Sequence, residues 1–475
     1  MNKLKTLALS MGTIGLSSLA IPAYAASNTE VDALRKEVNE LKQLVQQLST
    51  QQKAAPVVMA PPPAPAPMVA AAPAPKAPSN AKPGWFTLPD GQTQVKLYGS
   101  IRADSTYDFE GTSSDTTNIN NPTNKVPLNS ANATQDALNV SAAPTRVGVE
   151  FSRPTSLGEL NGKIEADFAG GISGNSSQTT NGNGALRVRH AYVSLGKWLA
   201  GQTTSPFVNV DTAPESVDFN GPMGYGSTRT VQVRYTQPID ANQKVLLALE
   251  GGDVDNITTG NTTVNAAGVT SSGGNRFPAL TARYDYKTAD NKFLGQAHAL
   301  LHENRISTND SNDEEKLGWG VGLGAKYKVT DVDTLFANYY HVKGDSRYLI
   351  YTNPAYVASK NTDGSLNIGE SEFDSALVGY SRTWNPKWRS TIAAGGIWYK
   401  DDGAYANFAN SFVNTNGSIG STTLNKSLYN ILINSFYTPV KNVDLGVEYT
   451  YGQRKTFLDQ KGDYSRLNLM AKYSF

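Results

Sequence analysis

Arg187 and Arg189 flank a single residue in Leu186-Arg187-Val188-Arg189-His190-Ala191-Tyr192-Val193. In an extended chain that spacing puts both guanidiniums on one face, roughly 7 Å apart. A guanidinium stays charged at physiological pH and grips carboxylate through two parallel hydrogen bonds. The pair therefore suits a short molecule with a carboxylate at each end. Alternation also puts Arg102, Arg146, Arg234 and Arg283 on the polar faces of their own segments, near the middle. Asp104, Glu150, Glu165, Asp167 and Asp285 share those faces. Rings of Arg or Lys along a wet path select anions; acids and bases that neutralise one another leave little preference. The arginines favour the first reading, with the second as its alternative. Residues 204–228 add Ser205, Asp211, Glu215 and Asp218 and lead into Arg229. This stretch also spends Phe207, Val208, Val217 and Phe219 where an exposed loop seldom would, so it is expected to pack against something.

Catalysis and metal chemistry find little footing. The chain has no cysteine and four histidines. His298 and His302 share a face if extended, but roughly 13 Å apart, too far for one metal. No Ser–His pair with supporting context and no phosphate loop is present, so no cofactor is expected. A net charge of +1 gives no global field for nucleic acid. The acidic tract Asp310, Asp313, Glu314, Glu315 reads as a solvated external loop, with divalent cations bridging lipopolysaccharide as a sharper alternative.

Strands must position these groups. The final twelve residues alternate to the end: Leu467, Leu469, Ala471, Tyr473 and Phe475 on one face, Arg466, Asn468, Met470, Lys472 and Ser474 on the other. Similar runs fall at 95–104, 145–152, 159–169, 186–195, 197–203, 229–237, 243–251, 277–287, 292–303, 317–329, 334–343, 373–384, 388–400, 427–438 and 442–453. That makes about sixteen strands, each near the length a tilted membrane-spanning strand needs. Connections alternate between tight turns (Asn385-Pro386-Lys387 is one) and long polar loops at 110–142, 171–184, 253–276, 346–372 and 401–425, with 204–228 as the third long connection. Short turns at one end and long loops at the other are the pattern of an outer-membrane barrel. No apolar run past the N-terminus could span a bilayer as a helix, and a closed sheet is the other structure that satisfies its backbone in hydrocarbon.

Ahead of the barrel, three segments differ in composition. Residues 1–25 read as a secretory signal, with Lys3 and Lys5, a short apolar run and Ala23-Tyr24-Ala25 as the cleavage site. Residues 26–53 read as a coiled-coil helix: Ser27 and Glu30 form a capping box, and Val31, Leu34, Val38, Leu41, Val45 and Leu48 form a seam with Val at a and Leu at d. Such a seam leans toward two strands. Residues 54–84 are a Pro/Ala-rich linker, a semi-rigid spacer of on the order of 90 Å if straight. The expected architecture is an all-β transmembrane antiparallel barrel over 85–475, with a coiled-coil stalk in the periplasm.

The barrel segment resembles the sixteen-stranded trimeric porins, and more narrowly the DcaP-like porins associated with dicarboxylate uptake. The resemblance rests on Gly84-Trp85-Phe86-Thr87-Leu88-Pro89-Asp90-Gly91 leading into Val95-Lys96-Leu97-Tyr98-Gly99, and on Leu186 to Val193. Gly201-Gln202-Thr203-Thr204-Ser205-Pro206-Phe207 and Pro214-Glu215-Ser216-Val217-Asp218-Phe219-Asn220-Gly221-Pro222 add to it. It covers about residues 84–475, and its motifs are specific together and weak singly. It implies an outer-membrane diffusion channel for small anionic solutes, with the third loop (Ser205, Asp211, Glu215, Asp218) folded into the lumen as a constriction. Arg102, Arg146, Arg187, Arg189, Arg229, Arg234 and Arg283 would line the path. It also implies a homotrimer among outer-membrane lipid and lipopolysaccharide, against the two-stranded lean of the seam. A general porin of little selectivity is the nearest alternative. A structural tether, whose stalk engages the cell wall or a periplasmic partner, is another.

Overall fold

The alternation of apolar and polar side chains becomes sixteen antiparallel strands. In the computed structural model the described residues are 84–113, 124, 126–128, 133–170, 185–252, 256–258, 269–270, 276–308, 313–361, 363–411 and 424–475. The expected signal, coiled coil and linker over residues 1–83 lie outside them.

The strands are β1 (Gln94–Glu110), β2 (Ala137–Ser141 continued by Arg146–Thr155), β3 (Gly158–Asp167), β4 (Arg187–Leu195), β5 (Trp198–Thr204) and β6 (Arg229–Pro238). They continue as β7 (Gln243–Glu250), β8 (Ala279–Lys287), β9 (Phe293–Thr308), β10 (Asp313–Lys328) and β11 (Asp333–Lys343). The last five are β12 (Glu372–Asn385), β13 (Trp388–Tyr399), β14 (Asn425–Tyr437), β15 (Val443–Thr456) and β16 (Lys461–Ser474). Each pairs with its predecessor, and β16 pairs with β1 from Ser100↔Ser474 upward, which closes the sheet. Gly99 and Phe475 exchange backbone N–H···O bonds of 3.1 Å at this seam. A Cβ at Gly99 would stand 2.7 Å from the Phe475 ring, so the terminal aromatic needs a glycine beneath it.

Leu323 and Val321 on β10 and Leu469 and Tyr473 on β16 are exposed, whereas their neighbours Gly322, Gly324, Asn468 and Met470 are buried. The exposed face is the one that meets hydrocarbon. At the short-turn end Trp388 stacks on Tyr437 with ring centroids 4.6 Å apart, as interfacial aromatics do.

The inside is partly filled. The loop between β5 and β6, the connection between β11 and β12 and the helix α1 (Gly403–Ser411) fold onto the inner wall. Phe207, Val208, Met223, Tyr348, Leu349, Tyr405 and Ala406 pack there with Tyr340, Phe373, Ile397, Tyr399 and Leu428. This puts an apolar core inside the barrel over β10–β14. Above it, Asn256–Thr258, Tyr356–Lys360 and Leu366–Glu370 form a three-stranded sheet among the long loops.

One expectation is corrected. Asp313, Glu314 and Glu315 do not lie in an external loop; they begin β10 and pair with Ser307, Ile306 and Arg305. Counter-ions make the strand tolerable: Arg305 Nη2 lies 2.7 Å from Asp313, and Arg276 pairs with Glu315 and Glu303. Asp310 lies outside the described residues.

Candidate functional site

The loop 205–228 runs along the inner wall before its tip reaches the other side. Its start is a fixed anchor: Ser205 Oγ donates to Glu250 at 2.8 Å and accepts from the Phe207 N–H at 3.1 Å. Phe207 then packs edge-on to Tyr340 and Tyr348. Asn338 on β11 holds Thr212, donating to its carbonyl at 2.9 Å. Asn434 on β14 donates to the Glu215 carbonyl at 2.9 Å. Glu448 on β15 accepts from Ser216 Oγ and from the N–H groups of Val217 and Asp218. Room for the loop comes from glycines on the inner faces. A Cβ at Gly320 would stand 2.7 Å from Phe207, at Gly379 2.9 Å from Pro214, and at Gly446 2.8 Å from Val217.

The tip meets the arginine wall. Arg102 Nη2 donates to the Val217 carbonyl at 2.6 Å. The guanidiniums of Arg102 and Arg187 lie 5.5 and 5.7 Å from the Phe219 ring centroid, a cation–π distance. The loop thus touches strands on both sides of the lumen.

A β-bulge arranges the wall itself. On β3–β4, Glu165 pairs with His190 and Ala166 with Val188, so Arg189 is the extra residue. A bulge re-aims side chains, and here Arg189 and His190 both turn inward. Arg189 reaches Glu165 and Asp167 at 2.9 and 2.8 Å, and His190 Nδ1 meets Thr203 Oγ1 at 3.0 Å. Strict alternation puts His190 on the lipid face, so its position was missed. Tyr98, also missed, donates to Glu165 at 2.7 Å.

The expected arginines differ in what they have left to offer. Arg102 is held by Asp104 at 2.6 Å. Arg187 makes a bidentate pair with Asp167 at 2.9 and 2.8 Å yet stays 41% exposed. Arg146 lies 3.4 Å from Glu165. Arg283 pairs with Asp285 at 2.9 Å and approaches Asp211 at 3.7 Å. Arg229 and Arg234 make no ion pair and no side-chain hydrogen bond among the described residues, and the Nε of each is buried without a partner. Arg229 feels the charges of Arg189, Arg146 and Arg187; Arg234 feels that of Arg283 and the opposing charge of Glu250. Beside Arg229, the guanidiniums of Arg146, Arg187 and Arg189 share Glu165 and Asp167, so with Arg229 the four exceed the two carboxylates by two positive charges. Lys163 bridges Glu165 to its own counter-ion Glu150.

The four loop residues divide. Asp211 and Glu215 are about half exposed, and Glu215 is gripped by Arg389 through two bonds of 2.7 and 2.8 Å. Ser205 and Asp218 are buried. Burial and the nearby charge of Glu448 push the Asp218 carboxyl up to about 7. Among the described residues no group of three or more His, Cys, Asp or Glu could hold a metal ion.

The crystal structure of the outer membrane channel DcaP of Acinetobacter baumannii aligns with a TM-score of 0.68 at 34% identity, covering 82% of this chain and 99% of that one. OmpT of Vibrio cholerae, as expressed in the outer membrane, aligns with a TM-score of 0.47 at 11% identity, over 81% of this chain and 98% of its own. The anion-selective porin from Comamonas acidovorans also gives 0.47 at 11% identity, over 81% and 100%. The comparison with curated proteins finds no match. A family model for the DcaP outer membrane protein matches residues 79–475, and the chain belongs to that family.

Proposed function

We propose that the chain is a passive outer-membrane channel preferring small anionic solutes, with dicarboxylates as its solute class, and that residues 205–228 form its constriction. One observation carries the reading: Arg229 and Arg234 stand on the same strand and, among the described residues, neither is ion-paired to a carboxylate, Arg234 feeling only the more distant Glu250. They lie five residues apart, roughly 17 Å along β6. That odd spacing would put them on opposite faces of a regular strand, but Arg229 is the first residue of β6 and feels the charges of the inward Arg189, Arg146 and Arg187. An anion leaving the excess of charge around Arg229 thus has a second cation, free of any ion pair among the described residues, ahead of it. Arg146, Arg187, Arg189 and Arg283 would supply further donors, and Arg102 would hold the loop tip. The 34% identical relative, described as an outer membrane channel, supports the channel part of this reading.

The proposal extends to a homotrimer set in outer-membrane lipid and lipopolysaccharide, with a periplasmic stalk from residues 26–83. No catalytic step and no cofactor enters it. The ion pairs of Arg102, Arg187 and Arg283 favour a second reading, a general porin whose wall is largely self-neutralised.

Reversal potentials in a planar bilayer under a salt gradient separate the readings. A potential on the anion side that falls in the Arg229→Gln/Arg234→Gln double variant supports the proposal. A potential near zero in the unsubstituted protein gives the general porin, and the absence of conductance removes the channel altogether.

A further inference from the structure

The outward wall contains a trough. Ala325, Ala337, Val378 and Ala394 stand side by side in direct register across β10–β13. The next outward row toward the short turns is tall: Tyr327, Leu335, Tyr380 and Ile392, again in direct register. On the other side, Leu323 and Tyr339 rise above β10 and β11. Short side chains between tall ones leave a cavity of about 660 Å³, lined by carbon almost throughout. Ile431 on β14 closes its far end. That volume lies within the range of small-molecule sites, roughly 300–1,000 Å³.

Its depth and foot indicate the occupant. Ala325 lies four residues from Val329 at the turn, roughly 13 Å along a strand tilted by about 40°, hence roughly 10 Å from the short-turn end. That is the periplasmic half of an apolar band about 25 Å tall, where the leaflet is phospholipid. Arg382 follows Tyr380 by two residues on the same face and is 39% exposed. Its Nη1 and the Tyr380 hydroxyl both donate to Asp333 Oδ1, at 2.8 and 2.6 Å, which fixes the guanidinium. The Trp384 ring lies 5.0 Å from the guanidinium and is exposed, as a ring at headgroup level should be. Arg382 is the only cation at a described outward position in this half of β9–β14.

We propose that this trough is a binding site for one glycerophospholipid of the periplasm-facing leaflet, its acyl chain on Ala325, Ala337, Val378 and Ala394 and its phosphate on Arg382. The site lies on the opposite face of the wall from the solute path, so it is independent of the channel reading.

The full-length protein, stripped of lipid in detergent, is titrated with dioleoyl phosphatidylglycerol and weighed by native mass spectrometry. One lipid per chain should be retained most tightly. Ala337→Phe, which fills the trough, should weaken retention roughly tenfold, and Arg382→Gln should weaken it while leaving an uncharged diacylglycerol probe unaffected. Ala394→Phe repeats the filling on another strand, and Val149→Phe on the outward face of β2 is the matched control. Native gel mobility confirms that each variant is folded. Equal retention by the filled variants and the control overturns the site. So does tight retention of lipopolysaccharide instead of phospholipid, or loss of an oligomer on filling, which would make the trough a contact between copies.

Discussion

Glu448 holds Val217 by the backbone: its Oε2 accepts the Val217 N–H at 2.8 Å. The same carboxylate takes the Asp218 N–H at 3.1 Å and Asn434 at 3.0 Å. Removing it by Glu448→Ala leaves several buried donors unsatisfied, at about 1–3 kcal/mol each. The penalty falls on the loop, because the closed sheet keeps its own backbone bonds. Single-channel recordings should show larger current fluctuations in this variant with little change in barrel melting. Unaltered current noise would mean that the loop is held elsewhere.

Asp218 gives this anchor a pH dependence. Burial first, then the charge of Glu448, raises its carboxyl to about 7, while Arg466, the Asn220 N–H and Arg102 pull the other way. Its folded value lies above the ordinary aspartate value of 3.8, so the folded state binds the proton more tightly. The stability this contributes is fully present below the unfolded value and is lost as pH rises through about 7. Current fluctuations should therefore grow between about pH 6 and pH 8, as a second negative charge develops beside Glu448. Asp218→Asn should flatten that dependence; an unchanged pH profile in the variant would assign the titration to another group.

The strands were legible because a membrane wall enforces period two, and each alternating run from 95–104 onward found its place. The inward packing of 205–228 was legible from Phe207, Val208, Val217 and Phe219, apolar residues that needed a surface. Pairing was not legible. Glu215 meets Arg389 from 174 positions away, and no local pattern tells a paired arginine from Arg234. The bulge at Arg189 was hidden for another reason: an extra residue leaves composition unchanged and shifts only the side chains beyond it, as at His190. The row Ala325, Ala337, Val378, Ala394 exists only once four strands are in register.

The two faces of β10 allow a direct test. Leu323 is 60% exposed on the lipid side, and Lys326 lines a cavity on the inner side with Asp285 and Gln296. Leu323→Arg should cost roughly 2–4 kcal/mol in folding if the position is near the midplane, whereas Lys326→Leu should fold normally. Urea titrations of folding into vesicles measure both. Equal tolerance would reverse the inward and outward faces.

Selectivity should separate paired from unpaired arginines. Arg189 neutralises two buried carboxylates, Glu165 and Asp167. Arg189→Gln removes positive charge and also strips partners from those acids, and breaking a buried pair costs about 3–5 kcal/mol. Arg187→Gln/Arg189→Gln should lower anion permeability and dicarboxylate block, with a clear loss of stability. No carboxylate is ion-paired to Arg229 or Arg234 among the described residues, so Arg229→Gln/Arg234→Gln should lower the same permeability and block with melting nearly unchanged. Arg382→Gln lies on the outer face and should leave both as they are. Neutral solutes should pass each variant as before, because Gln makes the path no narrower. If only the Arg187/Arg189 variant loses its anion preference, the electrostatic path depends on the shared cluster, and the two unpaired arginines have no part in it.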